Sequence, residues 1–470
     1  MDINPGIFKA YDIRGIWNKE LFPETTYLIG LGLGTYFKRN GVTTVHVSRD
    51  NRVSGEEVRD NLVKGLRETG ANVIDLGMIT TPMNYSSWYL RDAVASISIT
   101  ASHNPPEYNG FKAALNKVHF TSEDYQQIKD LVIRSDFDKS NEPGTYTQDD
   151  LWSDYAARVT QDIRLKKPVK VVLDCGNGTC SDTTEKILRD IGCEVIELFC
   201  EHDGSFPNHP PYPQKEDFYA VLKETIVHEQ ADLGIAMDGD GDRFGVYDER
   251  GNFISNDLIG ALIGTGMATE NPGMKAVFNV STSRIAIDQL ENQGVTVVLW
   301  KTGYPFIIEK MKETGALLGN EIAGHFFLKD KYYGFDDATY AAARFIEFYS
   351  NQNKTVSELV NSMPQYLSTP EFRVPAPDEP DNNKFTIIAA IVKEFREKFK
   401  NADIMDFDGL RITFSDNSWI LIRNSNTEPL ITGRAEAKTA ERLGELKELL
   451  VSTLQQHGVA LDWSNPIASH

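Results

Sequence analysis

Apolar and polar positions follow the same rhythm in three parts of the 470-residue chain. A short β-branched run, a polar loop, apolar residues at helical spacing, a glycine and a second β-branched run succeed one another in "VHVSRDNRVSGEEVRDNLVKGLRETGANVIDLG". The order recurs in "VVLDCGNGTCSDTTEKILRDIGCEVIELF" and in "AVFNVSTSRIAIDQLENQGVTVVLW". Each predicts strand, helix, strand, with Gly70, Gly192 and Gly294 at helix ends, where a left-handed cap favours glycine. Crossovers of that length predict parallel strands with helices on both faces. The fold class is therefore α/β, with three domains of similar build and mixed, largely parallel sheets.

Domain boundaries are expected where the pattern lapses. The polar "RSDFDKSNEPGTYTQDD" leads into a new helix, "LWSDYAARV", which closes a first domain over 1–150. The turn "DERGN" completes a hairpin before "ISNDLIGALIG", giving a second domain over 151–255 and a third over 256–367. "STPEFRVPAPDEPDNN" reads as a linker, because its four prolines suit neither a helix interior nor a central strand, and a hinge is expected over 368–383. Over 368–470 the chain changes character. "GLRITFSDNSWILIR" predicts a hairpin about "SDN", a further strand runs through Arg434 to Ala437, and Leu443, Leu446, Leu450 and Leu454 share one helix face. That region reads as a smaller α+β domain.

Composition narrows the functional classes. With 68 acidic against 48 basic residues the formal charge is −20, a field that repels nucleic acid and anionic membrane alike, so any anionic substrate needs a local basic cluster. The N-terminus lacks a basic segment leading into an apolar run, and no apolar stretch approaches the roughly 18 residues of a membrane span, which points to the cytoplasm. Cys175, Cys180, Cys193 and Cys200 lack the spacing of a zinc site and read as core thiols.

Four stretches carry candidate chemistry. "TASHNPPEYNGFK" follows the apolar "AVASISI", and its two prolines and Asn-Gly turn are expected to double the chain back beyond Ser102. Ser102 lies in no G-x-S-x-G elbow. The neighbouring His103 is expected to point away from it, as adjacent side chains of an extended chain do, so a hydrolase triad is a poor reading. "DGDGDR" places Asp238, Asp240 and Asp242 at alternate positions with glycines between, able to curl round one hard cation. Each unshielded like-charge pair at about 4 Å costs roughly 4 kcal/mol, so a positive charge is required among them. An EF-hand fails, because Arg243 stands where the loop needs glycine. "RNSNTEPLITGR" offers hydroxyl, amide and guanidinium donors suited to a phosphate dianion. "GNEIAGHFF" sets Glu321 and His325 about a glycine, and "FKAYDIRG" adds Lys9, Tyr11 and Arg14. A serine that carries a phosphoryl group accounts for the set, since it needs a cation to shield its charge and Lys or Arg to steady the transferring oxygens.

In their order along the chain, "AYDIRG", "TASHNP", "NGFK", "DGDGDR", a Glu-x-x-Gly-His loop and "SNTEP" resemble the α-D-phosphohexomutase family, most closely its phosphomannomutase/phosphoglucomutase branch. The resemblance covers essentially the whole chain. It implies three similar α/β domains and a smaller fourth around a central cleft. It implies Ser102 as the phosphoserine, with Arg14, Lys112 and His325 assisting catalysis, and Mg²⁺ held by Asp238, Asp240, Asp242 and the Ser102 phosphate. Arg243 and His103 then lie beside the phosphoserine. Glu321 grips the sugar's 3- and 4-hydroxyls, with Lys301, Gly303 and Tyr304 in the loop that reads the sugar and Lys9 and Tyr11 at the cleft. Arg423, Ser425, Asn426, Thr427 and Arg434 clamp whichever phosphate is not reacting.

The activity implied is interconversion of hexose 1-phosphate and hexose 6-phosphate through a hexose 1,6-bisphosphate, which also serves as activator. Its partners are small hexose phosphates, not nucleic acid or membrane. Departures from the family pattern are Ala323 where serine is usual, Lys9 where arginine is commoner, and Pro305 in "KTGYPF". They bear on the choice of sugar. Phosphoglucosamine mutase, a metal-dependent sugar phosphatase and a non-catalytic sugar-phosphate binder are the alternatives.

Overall fold

The computed structural model describes residues 3–379, 382–425 and 430–466, and four main sheets organise them. In the first, Ala95–Ile99, Thr44–Arg49, Asn72–Met78 and Tyr146–Gln148 run parallel as successive neighbours, and Tyr108–Leu115 and then Ile13–Ile16 add antiparallel at one end. The second has Glu194–Leu198, Lys170–Asp174 and Leu233–Met237 parallel, then Phe244–Tyr247 and Phe253–Ile254 antiparallel. The third has Thr296–Trp300, Lys275–Asn279 and Leu318–Asn320 parallel, with Phe326–Leu328 antiparallel at the end. The three strand, helix, strand units are present, through helices Gly55–Glu68, Thr184–Asp190 and Arg284–Glu291. Gly70, Gly192 and Gly294 follow those helices with φ of +92°, +103° and +75°, the left-handed caps expected.

The three sheets share one functional rule. In each, the parallel strand that borders the antiparallel one ends in a chemistry-bearing loop: Ala95–Ile99 leads to Ser102, Leu233–Met237 to Asp238, and Leu318–Asn320 to Glu321. Loops at the carboxyl ends of parallel strands are where open α/β sheets bind ligands. Strands Ala95–Ile99 and Leu233–Met237 are buried along their whole length, so each loop hangs from a rigid base. The largest apolar core runs through the second and third units and takes in Met83, Tyr85 and Trp88 of the first, which holds the loops in fixed relation.

The fourth sheet is antiparallel throughout and carries helices Lys384–Lys398 and Ala440–Gln456 on one face. Strand Trp419–Asn424 shows the alternation of a two-faced strand. Ile420 and Ile422 pack with Leu446, Leu450 and Leu454 of the last helix, while Trp419 and Leu421 face Val280 of the third unit. Glu436 secures that contact, accepting from Ser283 Oγ at 2.7 Å, Arg284 N at 2.7 Å and Trp419 Nε1 at 2.9 Å.

Three expectations are corrected. The proline-rich stretch is not a free linker: Leu367–Ser368 and Phe372–Pro375 both pair with Leu430–Ala437 as an edge of the fourth sheet, where prolines cost no ladder bond, so a hinge over 368–383 loses its basis. Asn109 and Gly110 are not a turn but lie inside Tyr108–Leu115, where Gly110 permits close approach to Ile13. Cys200 is only partly buried, unlike the other three thiols. No helix among the described residues is long and apolar enough to cross a membrane.

Candidate active site

Ser102 sits at a reversal of the chain with φ +49°, a left-handed conformation that costs a non-glycine residue about 1–2 kcal/mol. Local bonds maintain it. Thr100 Oγ1 accepts the Ser102 N–H at 2.8 Å, and the buried Arg52 guanidinium donates to the carbonyls of Ser102 at 2.8 Å, Asn104 at 2.7 Å, Pro105 at 2.6 Å and Tyr108 at 3.0 Å. Arg52 is neutralised by Asp50 at 3.1 Å. The loop is thereby tied at four carbonyls to one side chain. The reversal also corrects the expectation for His103, because the chain is not extended here: Ser102 Oγ lies 3.3 Å from His103 Nδ1. Burial, then Arg243 and Arg14, hold the His103 imidazole well below its usual pKa, which keeps it neutral.

Ser102 Oγ donates to Asp238 Oδ2 at 2.9 Å, across from the first sheet to the second, and Arg243 Nη2 reaches the same hydroxyl at 3.4 Å. The aspartate loop curls tightly, with Asp238 Oδ1 accepting the N–H groups of Gly241 at 2.9 Å and Asp242 at 3.1 Å. The positive charge that the triplet requires comes in part from Lys112, whose Nζ donates to Asp240 Oδ2 at 2.8 Å and to Asp242 Oδ2. Burial alone would depress the Lys112 pKa, but Asp240 and Asp242 outweigh it and raise it, so the side chain stays an ammonium. Burial likewise pushes Asp238 well above the usual carboxylate range, reinforced by Asp242 and Asp240. Asp242 is held well below that range, since Lys112, His325 and Arg243 overcome its burial.

Three buried carboxylates face two cations, and a phosphate on Ser102 would deepen the deficit. Asp240 Oδ1 and Asp242 Oδ1 are buried without a hydrogen-bond partner among the described residues, and Asp238, Asp240 and Asp242 each offer an oxygen within 4.8 Å of the others. The donor set fits a hard divalent cation.

The third sheet supplies a second group of contacts. Glu321 is buried and its Oε1 accepts the Gly303 N–H at 2.6 Å; burial raises its pKa, opposed by His325. Gly303 has φ +132°, and a β-carbon there would meet the Tyr11 ring at 2.9 Å, so only glycine allows the N-terminal tyrosine to lie against this loop. Tyr11 OH donates to Thr302 O at 3.3 Å and Tyr304 OH to Tyr11 O at 3.2 Å. Pro305 sits in the first turn of helix Tyr304–Thr314, where its missing N–H costs nothing. Lys301 lies over the Phe306 ring at 5.7 Å. Arg14 donates to Asn104 Oδ1 at 2.9 Å, which ties the N-terminal strand to the serine loop. Lys9 is exposed, and no site residue touches its side chain among the described contacts.

From the fourth sheet, Arg423 lies 3.9 Å from Asp408, and Arg434 lies 3.4 Å from Glu436 and over the Trp419 ring at 5.4 Å. The Nε atoms of both arginines are buried without an acceptor among the described residues, as an anion-binding fork would leave them. Ser425 N–H bonds Leu430 O at 2.9 Å, and its carbonyl accepts from Lys384 at 2.6 Å. Asn426 and Thr427 lie outside the described residues.

Four family models match consecutive parts of the chain. They are phosphoglucomutase/phosphomannomutase alpha/beta/alpha domain I over 5–139, domain II over 152–251, domain III over 255–366, and the C-terminal domain over 372–452. The chain belongs to the phosphoglucomutase/phosphomannomutase family. It is 37% identical over 461 residues to the phosphomannomutase/phosphoglucomutase of Pseudomonas aeruginosa, covering 98% of this chain and 97% of that one. It is 36% identical over 451 residues to the phosphoglucomutase of Neisseria meningitidis, covering 96% and 97%. A crystal structure of a family protein from Burkholderia thailandensis superposes with a TM-score of 0.89 at 33% identity, covering 97% of this chain and 98% of that one.

In this phosphoglucomutase/phosphomannomutase family member, several residues at the site escaped the motif reading. Arg52 and Asp50 follow the buried strand Thr44–Arg49 in "SRDNR", and a paired charge directly after a buried strand is the signal that could have found them. Thr81 Oγ1 donates to Asp240 Oδ2 at 2.7 Å from the start of a helix in the first unit. Asp336 lies 2.8 Å from His325 Nδ1, and Asp408 accepts the Thr302 N–H at 2.9 Å. Neither belongs to a local pattern, and only the tertiary fold brings them in.

Proposed function

We propose that this protein interconverts the 1-phosphate and 6-phosphate of mannose and/or glucose through a phosphoserine at Ser102 and a hexose 1,6-bisphosphate. The observation that carries the reading is the 2.9 Å bond from Ser102 Oγ to Asp238, beside a triplet whose other two aspartates are held by Lys112. The phosphoryl group passes from Ser102 Oγ to the free 1- or 6-hydroxyl, whose proton leaves to a base. The bisphosphate turns end for end, and its other phosphate returns to Ser102, releasing the isomer. Asp238, Asp240, Asp242 and the serine phosphate would hold Mg²⁺, which would supply positive charge to shield the phosphoryl group.

Lys112 contributes a fixed positive charge, since its raised pKa makes it a poor base. Arg243 steadies the serine oxygen, and His325, backed by Asp336, serves proton movement with Arg14. Glu321 and the 301–304 loop read the sugar, while Arg423, Ser425, Asn426, Thr427 and Arg434 hold the distal phosphate, a role supported by the two arginine Nε atoms that have no hydrogen-bond acceptor among the described residues. The four units divide these tasks as 1–150 for phosphoserine, 151–255 for metal, 256–367 for sugar and 368–470 for phosphate. Hexose 1,6-bisphosphate acts as activator by rephosphorylating a serine that has lost its group. The four free thiols suit a cytoplasmic setting.

The test is a coupled assay of mannose 1-phosphate and glucose 1-phosphate with Mg²⁺ and a trace of hexose bisphosphate, in the parent and in Ser102→Ala. Isomer formation in the parent alone is the expected result. Release of inorganic phosphate in place of the isomer overturns the mutase reading in favour of a phosphatase.

A further inference from the structure

We propose that Cys175 and Cys200 form a reversible disulfide and that this bond acts on the aspartate loop. Lys170–Asp174 and Glu194–Leu198 are parallel neighbours with Asp174 opposite Leu198, and the Cys175 N–H continues the ladder to Leu198 O at 3.1 Å. Phe199 then adopts φ +52°, a conformation rarely taken by a bulky aromatic residue. This reversal folds the next side chain back over the strand ends and leaves Cys200 Sγ 2.9 Å from Cys175 Sγ. Closing that gap to a disulfide, whose sulfurs lie about 2.05 Å apart, needs less than about 1 Å of movement. Cys200 is partly exposed and Cys175 buried, so oxidant enters at Cys200 and Cys175 resolves it.

The co-reactant is hydrogen peroxide. The Cys200 sulfur attacks one peroxide oxygen, the O–O bond breaks, and the departing hydroxyl takes the Cys200 proton as water, leaving a sulfenic acid. The Cys175 sulfur then attacks the sulfenic sulfur, the S–O bond breaks, and the Cys175 proton departs with the hydroxyl as a second water. Two thiols and one peroxide give one disulfide and two waters, and a dithiol reductant reverses the change.

The bond bears on function because Cys175 opens the turn on which the aspartate loop rests. Thr179 donates to Gly239 O from its N–H at 3.0 Å and from Oγ1 at 2.8 Å. Cys180 Sγ lies directly under Gly241, where a β-carbon would meet it at 2.7 Å. Asn51 of the first unit donates to Asn177 O at 2.6 Å. Drawing Cys175 toward Cys200 therefore shifts the support of both the metal ligands and their neighbour across the cleft.

The full-length protein is treated with hydrogen peroxide, digested without reductant and mapped by mass spectrometry, with turnover assayed in parallel before and after dithiothreitol. The expected result is a Cys175–Cys200 linked peptide that dithiothreitol removes. Turnover is expected to fall by on the order of tenfold while the link persists. Cys200→Ser gives neither, and Cys175→Ala serves as a second thiol-deleted variant, with melting curves showing that both fold. Two separately oxidised or unreacted thiols overturn the proposal, and a linked peptide with unchanged turnover overturns its action on the aspartate loop. The peptide is read independently of sugar-phosphate activity, so failure of the proposed reaction leaves this test standing.

Discussion

Arg52 touches no reacting atom, yet the geometry makes it the residue that aims Ser102. Its guanidinium donates to four carbonyls of the serine loop at 2.6–3.0 Å and pairs with the buried Asp50. Removing Arg52 alone leaves a buried carboxylate uncompensated, a loss of about 3–5 kcal/mol that confuses folding with function. The informative variant is Arg52→Met with Asp50→Asn, which deletes the charge pair together and leaves the loop untied. Ser102 then relaxes from its φ of +49°, releasing strain of about 1–2 kcal/mol. A displacement of about 1 Å at a reacting group costs around a hundredfold in rate. The double variant is therefore expected to stay folded but melt below the parent, since four loop carbonyls lose their donor, to lose about a hundredfold in kcat, and to keep its KM, because Glu321 and the arginines of the fourth sheet are untouched. The assay is the coupled mutase measurement beside a thermal melt. A folded double variant with kcat within about threefold of the parent would refute the argument that the clamp positions the serine.

Gly239→Ala places a β-carbon 2.5 Å from the Ser102 backbone carbonyl and forces the two loops apart, so kcat is expected to fall by roughly tenfold or more and the melting temperature to drop; parent-like kinetics would contradict it. Gly303→Ala sets a β-carbon 2.9 Å from the Tyr11 ring at a φ of +132°, and KM for the sugar phosphate is expected to rise more than kcat falls. The reverse pattern in steady-state kinetics would count against a binding role for that loop. Burial holds His46 and His119 at a pKa of about 4. The unfolded chain takes up those protons from about pH 6.5 downward and the native chain only near 4, so the stability they contribute is complete above about 6.5 and is lost as pH falls through that window. Each is worth on the order of 2 kcal/mol between pH 7 and pH 5, and His119→Phe is expected to remove about half of this acid loss. Equal differences in urea unfolding free energy between pH 7 and pH 5 for variant and parent would refute it.

The strand, helix, strand rhythm and the glycine caps were readable because periodicity and φ > 0 are local properties, as Gly70, Gly192 and Gly294 illustrate. The conformation of the serine loop escapes local pattern for a related reason. Nothing local announces that Ser102 is left-handed, since its conformation depends on Arg52, fifty positions away, and so His103 was expected to face the wrong way. The proline-rich stretch was judged by what proline forbids. Its pairing partner, Leu430–Ala437, lies far along the chain, and an edge position accepts the prolines that a central strand would not.

The sequence by itself determined the α/β class and the aspartate triplet with its demand for positive charge, because each follows from local pattern and residue chemistry. Only the tertiary structure decided that Ser102 faces Asp238, which cation answers the triplet, which acid lies beside His325 and which thiols touch. Lys112 is 128 residues from Asp240 in the chain, and Cys175 is 25 from Cys200. Short-range pattern carries no record of such distances; burial in a common core brings these groups together, and low dielectric there makes each partner count.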